Sequence, residues 1–195
     1  LGSIAQFVVT LLIGGLALPF NTFLHSGAEE PGSAWNVVGW CTLLIGGAAV
    51  FLYFNPRVFA RMLLAVPWLQ RYEKHAHVLG SYRRGVLLRV FLLSLLRYGV
   101  FTLQFVIVLA AIAQVEPSAA MAAVPVVFLI TTLVPTMALT ELGVRGSVAA
   151  SVIVGDDVAI IVSTTLIWII NIVFPALVGA LILLFARIRT GQHTP

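Results

Sequence analysis

Residues 134-VPTMALTELGVRGSVAASVIVGDD-157 decide how this chain is folded. Charged side chains make up 9% of the sequence, yet these 24 residues hold Glu141, Arg145, Asp156 and Asp157. Pro135, Gly143 and Gly146 interrupt what would otherwise read as a membrane helix. Charge and helix breakers together, deep in an apolar sequence, ask for a structural reason.

The surroundings set the solvent. Hydrophobic residues are 61% of the chain and the mean hydropathy is +1.08. Soluble domains carry about 25% charged residues, so this composition describes a polytopic membrane protein. The net charge of +4 and pI near 9.8 do not point to nucleic acid. Arg57, Arg61, Arg71, Lys74, Arg83 and Arg84 fall in one loop, with Arg187 and Arg189 in the tail. That is the positive-inside pattern of a membrane protein.

A bilayer core of ~30 Å needs about 20 apolar residues in a helix. Segments 4–24, 36–54, 86–113 and 158–186 meet this requirement. The sequence starts at Leu1 in mid-hydrophobic pattern, without a basic n-region or small-residue cleavage site, so 1–24 reads as a span and not a signal peptide. We expect residues 1–195 to form a single transmembrane domain, the C-terminal fragment of a longer chain. The acidic, turn-rich loop "HSGAEEPGS" faces outward on this reading. The basic segment 55–85 and the C-terminus face the cytoplasm. Segment 55–85 also alternates apolar and basic residues, which suits partial burial at the membrane surface. Trp68 belongs at the headgroups, and His75 and His77 read as solvated loop residues without a metal.

Crossing arithmetic then constrains the opening stretch. "AQVEPSAA", around Glu116, has no basic residue and lies outside, while the tail lies inside. Segment 158–186 accounts for one crossing. Residues 122–154 must therefore cross twice or return to their own side. Two crossings need about 40 residues, and only 33 positions lie between 122 and 154 inclusive. The expectation is an all-α bundle with a re-entrant or broken helix hairpin: half-helices near 122–134 and 143–154, joined by "PTMALTELG" at membrane depth. Irregular backbone there is tolerated only inside protein or against a wet cavity.

Several polar residues then become candidates. Arg97 lies ~16 Å beyond Val86 along a helix at 1.5 Å per residue, near the midplane. An arginine there is costly unless paired or hydrated. Two readings stay open: an anion-binding group in a cavity, or an ion pair to Glu141. Gln104 follows at i+7 on the same face. Glu141 and Arg145 are spaced i,i+4 in the favourable order for a helical pair, but Gly143 between them makes a regular helix less certain. The second half-helix should begin near Leu142 to Gly146, where free N–H groups and the dipole favour an anion. An unwound turn, a half-helix N-terminus and an arginine are the usual parts of a midplane transporter site. Asp156 and Asp157 read as caps of the last helix. Thr164, Trp168, Asn171 and Pro175 share one face of that helix, and Pro175 should kink it.

Elsewhere the sequence offers less. Cys41 is a lone cysteine and reads as a packing residue. "TLLIGG" occurs at 10–15 and at 42–47, which suggests matched small-residue packing between two helices. No H-E-x-x-H, Walker loop or nucleophile elbow occurs, so enzyme activity and a cofactor are not expected.

The stretch "LVPTMALTELGVRGSVAASVIVG", the long helix "TTLIWIINIVFPALVGALILL" and the preceding "SLLRYGVFTLQF" resemble the lysylphosphatidylglycerol synthase/flippase transmembrane-region family over about residues 86–186. The common family motif runs Pro, a spacer, then Gly-Gly-Leu-Gly-x-x-Glu. This chain keeps Pro135, Leu142, Gly143 and Arg145, and has Thr140 and Glu141 where two glycines are common and Gly146 where a glutamate is common. The resemblance implies a bacterial cytoplasmic-membrane protein with flippase-like activity on anionic or aminoacylated phospholipid. The candidate substrate-binding set is thus Arg97, Gln104, Pro135, Thr140, Glu141, Gly143, Arg145, Gly146 and Asn171. The alternative is a non-transporting subunit that positions a lipid- or glycan-modifying enzyme through segment 55–85; a homo-oligomer is a further partner to weigh.

Overall fold

The structure, a computed structural model, describes residues 2–25, 34–65, 83–134 and 138–190. These form α1 (Gly2–His25), α2 (Ala34–Phe54), α3 (Pro56–Ala65), α4 (Arg84–Ile112), α5 (Pro117–Leu133), α6 (Ala138–Val152) and α7 (Asp157–Trp168). A π-helical turn (Ile169–Val173) leads into α8 (Phe174–Thr190). There are no strands among the described residues. Four helices are long and apolar enough to cross a membrane, with the last running from α7 through the turn into α8. The protein is an all-α transmembrane bundle. It turns large apolar side chains outward, as Leu44, Leu96 and Leu183 show, because lipid tails solvate them as well as a protein core does.

The helices meet through small residues, as packing in lipid requires. α1 and α2 join along the repeated hexapeptide. A Cβ at Gly15 would lie 2.9 Å from the Leu43 backbone nitrogen, and one at Gly46 would lie 3.1 Å from the backbone of Leu12. Each glycine admits the other helix's backbone, so the repeat is a reciprocal contact. α5 sits at the centre, packed on α1, α4 and α6. Its buried residues include Ala120, Ala122, Ala123, Val124 and Val127. Cys41 does not pack as expected. It is exposed on the outer side of α2.

The expected hairpin is present. α5 has 17 residues and α6 has 15; at 1.5 Å per residue these are ~25 and ~22 Å long, each short of a ~30 Å hydrocarbon core. They pack on one another. A Cβ at Gly155 would lie 3.5 Å from Val115, so the turn entering the hairpin and the turn leaving it adjoin at one end of the bundle. Gln114 closes α4 in the left-handed region, with φ 52°, and Asp156 caps α7 by accepting a hydrogen bond from the Val158 N–H at 3.1 Å. That cap was legible from sequence.

Two boundaries need correction. The first half-helix starts at Pro117, earlier than 122, because proline is pre-organised for the first helical turn. The second starts at Ala138 and runs without interruption through Gly143 and Gly146. Glycine costs a helix only about 1 kcal/mol. Unpaired backbone at membrane depth costs several, so the helix continues. The break is thereby confined to the few positions after Leu133; Pro135 lies outside the described residues, as do Trp68, His75 and His77.

Pro175 acts where expected. It has no N–H to offer the Asn171 carbonyl, and the backbone before it widens, with the Phe174 N–H bonded to the Ile169 carbonyl. Beyond this turn, α8 packs against no other described element.

Candidate functional site

Arg97 stands midway along α4, and the hairpin break comes to its level. There a cavity of about 260 Å³ opens between the helices. α1 contributes Gln6 and Thr10, α4 Arg97, Tyr98 and Phe101, and α5 Thr131 and Thr132. α6 brings Arg145, and the last helix brings Trp168 and Asn171 on either side of the start of the π turn. Trp168, Asn171 and Ile172 lie three and four residues apart, the spacing of one helical face, and all border this space.

Its electrostatics are one-sided. Among the described residues, two arginines line the cavity and no acidic residue does. Arg145 donates from its terminal nitrogen to Glu141 Oε1 at 2.7 Å, one helical turn away. The i,i+4 pair expected from spacing therefore forms, made possible by the unbroken helix through Gly143. Glu141 is spent on Arg145, so the ion pair between Arg97 and Glu141 does not form. Arg97 instead lies over the Phe101 ring, 5.1 Å from its centroid, and has no carboxylate partner among the described residues. It is exposed at the cavity rim.

Hydrogen-bonding capacity is left over on four of the five helices that line it. The Thr10 and Thr131 hydroxyls donate to carbonyls of their own helices, Gln6 and Val127, at 2.9 and 2.8 Å. Gln6 Oε1, the Tyr98 hydroxyl, Arg145 Nε and Trp168 Nε1 are buried and have no partner among the described residues. A buried polar group without a partner costs about 1–3 kcal/mol, and four residues carrying such groups converge on one cavity. Three of these atoms are donors, contributed by three different helices. Tyr98 itself is only 4% exposed.

Of the candidate residues, the fold brings together Arg97, Arg145 and Asn171, with Glu141 attached through its pair. Gln104 is half-buried but does not border the cavity. Thr140 is exposed, a Cβ at Gly143 would meet open space, and one at Gly146 would lie 3.6 Å from Ile161; none of the three borders the cavity. The sequence-based set omitted Gln6, Tyr98 and Trp168. Gln6 is the lone amide in the first half of α1, which was a usable signal. Tyr98 gave none, since an aromatic residue on an apolar helix is ordinary.

Two further cavities lie along α1 and α4. Near the Arg84 end, one of about 320 Å³ is bordered by Phe7, Leu52, Tyr53, Phe59 and Leu87. Tyr53 donates its hydroxyl to the Leu87 carbonyl at 3.1 Å, and that space is bordered mainly by apolar side chains. Toward the hairpin mouth, one of about 510 Å³ lies among Leu16, Leu103, Met121 and Pro125 and shares Tyr98 with the central cavity. Compared with known proteins, the chain matches no family model, no curated protein and no solved structure.

Proposed function

We propose that this integral membrane protein is a flippase-like transporter that moves phospholipid across a bacterial cytoplasmic membrane, as a member of the family its motif resembles. The observation that carries this reading is the central cavity: two arginines and three unpartnered buried donors at the level where the hairpin breaks. A lipid headgroup phosphate is the anion best placed to use it. Arg97 at the rim makes first contact, and the apolar cavities above and below along α1 and α4 suit acyl chains. In this reading segment 55–85 and the C-terminus are cytoplasmic.

Reconstitution into proteoliposomes with a fluorescent phospholipid tests it. A hydrogen bond to a charged group contributes about 1.5–3 kcal/mol, so Arg97→Ala and Arg145→Ala should each slow translocation by about tenfold or more. Both should keep their helical circular dichroism. Wild-type rates in both variants would sink the assignment.

A second reading has one observation in its favour. α8 is apolar, exposed and unpartnered among the described elements, as expected of a subunit that positions a membrane enzyme. Co-purification of a stable partner, with no translocation in proteoliposomes, would favour that reading.

A further inference from the structure

The Glu141–Arg145 pair does more than hold a helix. We infer that the central cavity selects a singly charged oxyanion of the phosphodiester type, and that Glu141 sets this selectivity by cancelling one of two guanidinium charges. The inference deepens the transport reading and rests on the same cavity. Arg97 and Arg145 bring two positive charges. Glu141, 2.7 Å from Arg145, removes one. The site is left with a single uncompensated positive charge at membrane depth, where any charge surplus is expensive. A phosphodiester balances it. A phosphomonoester with two charges overshoots, and a zwitterionic headgroup brings an ammonium for which the cavity has no carboxylate to spare.

The geometry of the donors suits the same ligand. Tyr98, Arg145 and Trp168 border one space from α4, α6 and α7, and the Tyr98 hydroxyl, Arg145 Nε–H and Trp168 Nε1–H are buried with no partner among the described residues. Arg145 is engaged by Glu141 through a terminal nitrogen only, which leaves its Nε–H for the anion. Glu141 thus acts as a specificity-determining residue that need not touch the ligand.

Charge-count variants test this directly. The protein in nanodiscs is presented with spin-labelled phosphatidylglycerol, phosphatidic acid or phosphatidylcholine, and the immobilised fraction is read by electron paramagnetic resonance. At about pH 8 a phosphomonoester carries close to two charges. Wild type should retain phosphatidylglycerol several-fold over the other two. Glu141→Gln should shift the preference to phosphatidic acid. Arg145→Gln should remove the preference for phosphatidylglycerol over phosphatidylcholine, and the double variant Glu141→Gln/Arg145→Gln should bring it back. Arg97→Ala should remove discrimination altogether.

An unaltered lipid ranking in folded Glu141→Gln, or failure of the double variant to restore the wild-type ranking, would overturn the inference. So would a wild type that prefers phosphatidic acid, a result that needs no variant to fold. Competition with soluble dimethyl phosphate separates the sources: displacement by unlabelled phosphatidylglycerol alone supports a lipid headgroup, and displacement by dimethyl phosphate overturns that part. Because binding is read without transport, the predicted ranking in a protein that moves no lipid would refute the transport reading and leave the charge rule standing.

Discussion

Tyr98 shows how a single atom can separate a structural role from a binding one. Its ring is packed edge-on against Phe128, with centroids 5.6 Å apart, while its hydroxyl has no partner among the described residues. A buried hydroxyl that bonds within the protein contributes about 1 kcal/mol of stability; one that bonds nothing costs more than that when the chain is folded. Tyr98→Phe keeps the ring and deletes only the oxygen. The thermal midpoint in detergent should therefore stay level or rise, by up to about 1 kcal/mol of stability, while phosphatidylglycerol retention falls. A lowered midpoint would mean the hydroxyl serves the fold instead. Residue-scale legibility was uneven for a physical reason. Arg97 announces itself, because charge at membrane depth is costly wherever it occurs. Tyr98 does not, since its significance lies in which neighbours fail to meet it, and that is a property of the packed bundle alone.

Glycine carried opposite meanings in two pairs of elements, and composition alone does not tell them apart. Gly143 and Gly146 look like breakers beside Pro135, yet α6 passes straight through both, and nothing lies within 4 Å of a Cβ at Gly143. Gly15 and Gly46 look like ordinary small residues in long spans, yet a Cβ at either would lie only 2.9–3.1 Å from the neighbouring helix's backbone. The decisive difference is the partner helix, which periodicity within one segment does not reveal. Substitution to alanine should show the contrast. Gly15→Ala overpacks the α1–α2 contact and should destabilise by about 1–3 kcal/mol. Gly143→Ala has room and removes backbone freedom, so it should stabilise α6 by about 0.5–1 kcal/mol. Thermal unfolding of the two variants side by side, followed by circular dichroism, checks both signs; a destabilised Gly143→Ala would place the helix break back at Gly143.

At the scale of the whole molecule, charge placement and length were enough to read the bundle and its returning hairpin. Four spans came from apolar length, and the hairpin came from a parity argument that needs no contact information. The turns at Val115 and Gly155 adjoin at one end of the bundle, as a returning hairpin and a doubly crossing one both require. The residues that lead into the break divide: Thr131 and Thr132 border the polar cavity, while Leu133 and Val134 are exposed. This arrangement makes a topological prediction that is independent of any transport activity. With the exposed Cys41 replaced by serine, Ser118→Cys before the hairpin and Val154→Cys after it should both react with a membrane-impermeant maleimide added to the same side of sealed vesicles. Arg83→Cys, at the start of α4, should react only from the opposite side. A hairpin that crossed the bilayer fully would put Ser118 and Val154 on one side too, so a third position must decide between the two. Thr132→Cys, beside the break and bordering the central cavity, should resist the bulky reagent from both faces. Labelling of Thr132→Cys from the Arg83 side as readily as of Arg83→Cys itself would show that α5 spans the membrane, and the returning hairpin would have to be abandoned.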